Sequence, residues 1–383
     1  MFFESLFDSK KQFDLTASIV GGSNSVMRKG YAKYLGEYLY ETTSLSASIE
    51  YYSLGGVPNI FGTIQEDRHN LAAKSDIIFF EYCVNDRHAI ETGNYSLELV
   101  GKSLEGFIRK CHKSNPRCLI VIVIFGVNKE DYYSQACKID EIYESIARHY
   151  SLPVINLTEL FRQQSGVDFI KSLYDDKDVA HYTRPEGVKV VARKIVEQLD
   201  ELGVVDRLKS DKDLSTKIDV EPIYADNFEN LVFFEDFERD EFFDRPAKVS
   251  TYQNSVFREK NFTLVKGNQL RFLLKGQLVG IYLKSDLSDG IFEIKHGEQS
   301  ITASSYSEWV TAIRSNNINL ITLPLRRFKP SSDFALVSIS CCKEYPDSFE
   351  LDYIKQEPKK KNPQKWQLNV IGVAYIGELK PWS

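Results

Sequence analysis

Two stretches of this chain are apolar almost without interruption: Asp76-Ile77-Ile78-Phe79-Phe80-Glu81-Tyr82 and Cys118-Leu119-Ile120-Val121-Ile122-Val123-Ile124-Phe125. Both are far shorter than the roughly 20 residues a membrane span needs. Neither alternates polar and apolar residues, as a strand with one wet face does. Strands buried on both faces read this way, and they belong to parallel sheets covered by helices. The surrounding pattern agrees. Ile19-Val20 reads as a first short strand, Ser48 to Leu54 as a second ending at Gly55-Gly56, and Val154 to Leu157 as a last one. Between them the spacing predicts helices over Met27 to Tyr40, Glu66 to Ala73, Tyr95 to Ser114, Ile139 to Tyr150 and Gly187 to Leu202. The last carries Val188, Val191, Ile195 and Leu199 on one stripe. Strands alternating with helices predict a parallel sheet with both faces covered.

After Leu202 the texture changes. Residues 1–205 read as the α/β domain, and 206–223 as a charged linker short of large apolar residues. Residues 224–383 read as an all-β domain, most simply a jelly-roll-like sandwich. Its strand candidates are Leu278 to Leu283, Ile291 to Lys295, Ile318 to Leu325, Phe334 to Cys342 and Trp366 to Tyr375. Turn signals at Ser288-Asp289-Gly290 and Lys329-Pro330 separate them.

Charge and cysteine usage narrow the function classes. The net charge is −6, which argues against a nucleic-acid partner. The run Lys359-Lys360-Lys361 reads as a solvated turn. Met1 to Asp8 lacks the basic start and apolar core of a secretory signal, so the expected compartment is the cytoplasm. The six cysteines (Cys83, Cys111, Cys118, Cys137, Cys341 and Cys342) form no C-x-x-C pair and read as reduced. No cluster of ligands has zinc spacing, and no metal is expected.

The chemistry centres on Ile19-Val20-Gly21-Gly22-Ser23-Asn24-Ser25, a strand, a glycine turn and a serine opening a helix. A serine hydroxyl becomes a useful nucleophile only with a base in reach, a group to orient the base, and donors for the oxyanion. The base candidate is His181, in a loop that runs into the last helix, with Asp178 three residues before it. That offset can set a carboxylate beside Nδ1 and turn Nε2 toward the serine. Read alone, Asp178 caps a turn and His181 is a surface residue; their place after the last strand of an α/β unit favours the catalytic reading. The oxyanion candidates are the backbone N–H groups of Ser23 and Gly55 and the side-chain amide of Asn85. Arg87 and His88 are candidate contacts to an anionic substrate, and Trp309 and Trp366 to a sugar, although core packing is the simpler fate of a tryptophan.

These residues resemble the SGNH/GDSL hydrolase family over Ser18 to about Leu202. Gly21-Gly22-Ser23-Asn24-Ser25 is similar to its nucleophile block and Ser53-Leu54-Gly55-Gly56 to its glycine block. Cys83-Val84-Asn85-Asp86 is similar to G-x-N-D and Asp178-Val179-Ala180-His181 to D-x-x-H. The resemblance implies a flavodoxin-like three-layer α/β/α domain, with Ser23 as nucleophile, His181 as base, Asp178 as orienter, and Gly55 and Asn85 as oxyanion donors. It also implies no metal and no redox cofactor. Three positions depart from it: Gly22 stands where the family carries Asp, Ser53 where it carries Asn, and Cys83 where it carries Gly.

The expected activity is acyl-ester chemistry on a carbohydrate through an acyl-Ser23 intermediate. With acetyl-CoA as donor it would be O-acetyl transfer to a surface polysaccharide such as capsule. With water as acceptor it would be O-acetyl ester hydrolysis. A glycan-binding scaffold that had lost its chemistry, and a lipase or thioesterase, are the rival readings.

Overall fold

The computed structural model describes residues 14–93, 95–134, 137–210, 220–237, 240–254, 256–306, 310, 316–322, 328–349, 357–359 and 361–382. Met1 to Asp8, most of the expected linker (211–219), Trp309, Lys360 and the end of the Ile318 to Leu325 segment (323–325) lie outside the described residues.

Five strands make the first sheet: β1 (Leu15–Gly21), β2 (Ala47–Tyr51), β3 (Ile77–Glu81), β4 (Leu119–Ile124) and β5 (Val154–Asn156). They are parallel throughout and run in the order β2-β1-β3-β4-β5. This is the flavodoxin-like order, whose switch point lies between β1 and β3. The two apolar runs are β3 and β4, and every residue of both is buried. Their side chains divide by parity. Ile78, Phe80, Ile120, Ile122 and Ile124 enter one core, and Ile77, Phe79, Leu119, Val121 and Val123 the other. Two cores on one strand require helices on both faces.

The helices supply them. In chain order they are α1 (Ser23–Val26), α2 (Tyr31–Thr43), α3 (Ile60–His69), α4 (Leu71–Lys74), α5 (Cys83–Glu91), α6 (Leu97–Ser114), α7 (Glu130–Ser134), α8 (Lys138–His149), α9 (Leu157–Ser172), α10 (Glu186–Glu201) and α11 (Val204–Lys209). α3, α4, α6 and α8 cover one face and α2, α9, α10 and α11 the other. The stripe Val188, Val191, Ile195 and Leu199 is buried as its spacing predicts. The helix predicted over Met27 to Tyr40 instead begins at Tyr31, after the short α1 and a turn at Gly30. α5 and α9 fall where the sequence pattern places no helix. A hairpin of β6 (Tyr174–Asp175) and β7 (Asp178–Tyr182) precedes α10.

The second unit holds β8 (Leu231–Phe234), β9 (Lys248–Gln253), β10 (Arg258–Val265), β11 (Gln269–Asp286), β12 (Ile291–His296), β13 (Gln299–Ser304), β14 (Asn316–Thr322), β15 (Ser331–Cys341) and β16 (Gln367–Pro381). All are hydrogen-bonded into one antiparallel sheet. The 18-residue β11 pairs with β15 over Gln269–Gly276 and with β14 over Gly280–Asp286, while β16 runs along its other edge. This unit has its own core, which includes Phe262, Leu264, Phe272, Leu283, Phe292, Ile339 and Val370.

The start of the expected linker is helical: α11 buries Val204 and Val205 against the first unit. Beyond the undescribed stretch, Glu105 of α6 accepts the backbone N–H groups of Ile223 and Tyr224 at 2.6 and 2.7 Å. The two units then share a core, because Phe228, Leu231, Phe233, Val279, Tyr282, Ile371 and Ala374 pack with α3 and α6. At its edge Arg68 of α3 reaches Glu259 at 2.7 Å and Glu235 at 2.6 Å, with the Phe233 ring 5.1 Å from its guanidinium.

Candidate active site

Ser23, Gly55, Asn85 and His181 come from four separate segments and meet at the carboxyl ends of β1 and β3. Crevices outside the switch point of an open α/β sheet are where ligands bind. Ser23 is the first residue of α1, directly after β1. Its Oγ lies 2.7 Å from His181 Nε2. On the other side of the ring, Nδ1 lies 2.7 Å and 2.9 Å from the two Asp178 oxygens. With Nδ1–H donated to Asp178, Nε2 is free to accept the Ser23 proton.

His181 stands on β7 of the short hairpin rather than in an open loop. Three contacts hold that strand. The Asn128 N–H donates to Val179 O at 2.7 Å, and the Asn24 side chain donates to Ala180 O at 2.9 Å. Tyr182 is buried edge-on against Phe125, with ring centroids 5.4 Å apart. The Asn24 contact ties the Ser23 turn directly to the strand that bears His181.

Asp178 also accepts the N–H groups of Ala180 and His181, each at 3.1 Å. Partial burial pushes its carboxyl up, but the hydrogen bond and charge of His181 and these two N–H donors outweigh it and hold the carboxyl below its ordinary value. Asp175 turns away and accepts the Lys177 N–H at 2.9 Å.

Gly55 packs on the serine: a Cβ there would stand 3.2 Å from Ser23 Cβ. The segment before it is laced to β1 by Tyr52 N–H to Ile19 O at 2.9 Å and Leu54 N–H to Gly21 O at 3.0 Å. Ser53 donates its hydroxyl to Ile19 O at 2.9 Å, so it too serves the backbone. Asn85 is nearly buried on α5, with its carboxamide over Gly22. Its neighbour Asp86 points inward, where Asn59 N–H and Tyr143 O–H donate to it at 2.8 and 2.6 Å. Burial pushes that carboxyl up to about 7, against the pull of those two donors. Cys83 is fully buried in the core and does not line the crevice; burial pushes its thiol well up.

The substrate reading of Arg87 needs correction. Its guanidinium is buried, donates to Cys137 Sγ at 2.7 Å and Asp140 at 3.3 Å, and lies 4.2 Å from the Tyr132 ring centre. It braces α5 against α8 and is committed there. His88 is exposed three residues beyond Asn85. Trp366 is 1% exposed, packed against Gly290 and Tyr345, so it presents no face to a sugar. The six cysteines are free thiols. Among the described residues no helix is long and apolar enough to cross a membrane, and no three metal-ligating side chains converge.

The sequence reading missed the support behind Ser23. Ser25 Oγ donates to Glu81 Oε2 at 2.8 Å and lies 3.1 Å from Tyr31 O–H. The available signal was an acid closing an otherwise apolar strand.

Fold and site together define the class: a flavodoxin-like α/β unit with a Ser-His-Asp arrangement at its switch point, followed by an antiparallel β-unit. No protein-family model matches the chain, and no curated protein matches it. Solved structures do. A two-domain esterase active on acetylated mannans, co-crystallised with mannopentaose, superposes with a TM-score of 0.64 at 15% identity. The match covers 95% of this chain and 92% of that one, so both units are matched together. A second structure of a two-domain esterase active on acetylated mannans gives 0.61 at 16% identity, over 96% and 92%. An acetyl xylan esterase matches 49% of this chain and 98% of its own at 16% identity, with a TM-score of 0.40.

Proposed function

We propose that the protein is a serine esterase that removes O-acetyl groups from a polysaccharide. The observation that carries this reading is the unbroken relay from Asp178 through His181 to Ser23 Oγ, with every step at hydrogen-bond distance. Ser23 Oγ attacks the acetyl carbonyl while His181 Nε2 takes its proton. The N–H groups of Ser23 and Gly55 and the Asn85 amide receive the oxyanion. Collapse expels the sugar oxygen, which takes the proton from His181, and leaves acetyl-Ser23. Water, deprotonated by His181, then releases acetate and restores the serine. The carbohydrate part of the reading is supported by the whole-chain likeness to esterases described as active on acetylated mannans.

A second reading follows from the openness of the relay: the side chains of His181 and Asp178 are 22% and 46% exposed. An open relay admits a sugar hydroxyl, as well as water, as acceptor for acetyl-Ser23. The protein would then be an O-acetyltransferase using acetyl-CoA, for example a cytoplasmic enzyme modifying a capsule polysaccharide. The experiment has two arms. Purified protein is incubated with acetylated mannan or xylan and acetate is measured; in parallel, deacetylated glycan and acetyl-CoA are supplied and acetyl gain is followed by mass spectrometry. Acetate release that Ser23→Ala abolishes supports the esterase. Acetyl gain with little acetate replaces it with the transferase, and neither product sinks both.

A further inference from the structure

Glu81 closes β3, is fully buried, and grips the nucleophile turn on both sides of Ser23. Its backbone carbonyl accepts the Gly22 N–H at 2.8 Å. Its carboxyl accepts Ser25 Oγ–H at 2.8 Å, and Ser25 is itself fully buried. Between these anchors α1 is a single turn, held internally by Ser25 and Val26 N–H to Gly22 O at 3.2 and 3.1 Å. One turn of helix is not stable by itself. Packing leaves it no slack either, because a side chain on Gly21 would overlap Ser25 Oγ and the Glu81 carbonyl.

The other carboxyl oxygen, Oε1, is buried without a hydrogen-bond partner. A charge there would be far costlier than a neutral acid. Burial first, and Asp86 of α5 second, push the carboxyl up to about 8, against the Ser25 and Gly22 donors. The other titratable groups that feel Glu81 are Tyr31 of α2, Tyr82 and Cys83 just beyond β3, and Tyr182 of β7.

We propose that Glu81 is a positioning residue for Ser23: its buried carboxyl, acting through Ser25, fixes the single-turn helix that aims Ser23 Oγ at His181. This rests on Ser23 being the nucleophile. A neutral acid accepts the Ser25 hydrogen bond with its carbonyl oxygen and carries its own proton on the other oxygen. An amide does the same, whereas an aliphatic side chain releases the turn.

The test uses the full chain with Glu81→Gln, Glu81→Leu and Ser25→Ala. Ser23 labelling by a fluorophosphonate probe reads the nucleophile without any glycan, and kcat and KM are measured on 4-nitrophenyl acetate. Glu81→Gln is expected to label within about threefold of wild type at neutral pH. Glu81→Leu and Ser25→Ala are expected to lose about 10- to 100-fold in labelling rate and kcat with KM unchanged, the scale of a misaimed group. Wild-type activity is expected to fall above about pH 8 as the buried acid ionises, and Glu81→Gln is expected to remove that fall. If Glu81→Leu does not fold by near-ultraviolet circular dichroism, Ser25→Ala and the Glu81→Gln pH profile decide. Wild-type labelling in Ser25→Ala, or an alkaline fall that persists in Glu81→Gln, overturns the proposal. Labelling of wild-type Ser23 without cleavage of any acetylated glycan sinks the substrate reading alone, and the labelling rates still decide the role of Glu81. A wild-type Ser23 that does not label overturns both.

Discussion

The Asn85 carboxamide occupies the space that a side chain on Gly22 would need. The missing acid before the nucleophile is thus a close approach of α5 to the Ser23 turn, and glycine is the residue that permits it. Restoring the Asp found in the resembling family is therefore expected to harm this protein. Gly22→Asp would displace the Asn85 amide from the crevice. A loss of kcat of about 10²- to 10³-fold, the scale for one oxyanion donor, is expected on 4-nitrophenyl acetate. Wild-type kcat in Gly22→Asp would show that Asn85 does not need this position.

The Asp178 carboxylate does two jobs for one imidazole. Its Oδ2 lies 2.7 Å from Nδ1, and it braces the strand by accepting the Ala180 and His181 N–H groups. Asp178→Asn keeps the shape but offers an amide N–H where an acceptor is needed, so Nε2 loses its role as base in the favoured tautomer. We expect kcat to fall by roughly 10³- to 10⁴-fold with the melting temperature nearly unchanged. Ser23→Ala should lose more than Asp178→Asn; the reverse order would argue for a different nucleophile.

The strands and motifs were legible where one local pattern decides burial. β3 and β4 lie in the middle of the sheet, so their residues face a core on both sides and show no alternation. The four motif blocks were legible because each sits where a strand or the β7 hairpin delivers it to one edge. α5 was not legible, because Asn85-Asp86 are turn residues by preference and the helix exists to pack Asp86 and Arg87 inward. The role of Arg87 depends on Cys137 and Asp140, 50 and 53 positions away, and that of Glu81 on Ser25, 56 positions back. No pattern within a window reports such pairs. The shared core was hidden for a related reason: Phe228 and Leu231 look like any β-unit apolar residues, yet they pack with α3 and α6.

Arg87 is expected to matter for stability and not for substrate charge. Its partner Asp140 is 12% exposed and would be left without a cation in Arg87→Met. Breaking such a buried pair from one side costs about 3–5 kcal/mol. Urea denaturation should show a loss of that order, while KM for neutral and anionic aryl esters moves together. A selective rise in KM for the anionic ester would return Arg87 to the substrate.

Among the buried acids, Asp86 and Glu81 are expected to make stability fall as pH rises. Burial raises Asp86 from its ordinary 3.8 to about 7 and Glu81 from 4.5 to about 8. Between those limits the folded chain holds protons that the unfolded chain has released, so unfolding becomes easier with each step in pH. The contribution is fully present below about pH 4 and gone above about pH 8. Asp178, held below its ordinary value, acts oppositely and only at the acid end. Thermal melts from pH 5 to 9 should therefore slope downward, and Asp86→Asn should flatten the part below pH 7. His69, His112 and His296, lowered by burial, act oppositely below their ordinary 6.5, so the deciding range is pH 7 to 8, where a flat wild-type profile would mean that Glu81 is not protonated in the folded chain.

Arg68 joins the units where the shared core meets solvent. Its side chain is 6% exposed, as is that of Glu259, and Tyr282 also donates to Glu259 at 3.2 Å. The shared apolar core means that the β-unit is part of the first unit's folding, rather than an appendage on a tether. Denaturation of the wild type should accordingly be a single transition by both tryptophan fluorescence and far-ultraviolet circular dichroism. Arg68→Met leaves Glu259 buried without its cation, at a cost of about 3–5 kcal/mol concentrated at the junction. The expected result is an earlier transition in which the two probes separate, because the β-unit carries Trp366 and Trp382 while the first unit carries most of the helix. Two resolved transitions in the wild type would instead show that the units fold independently and that the shared core contributes little.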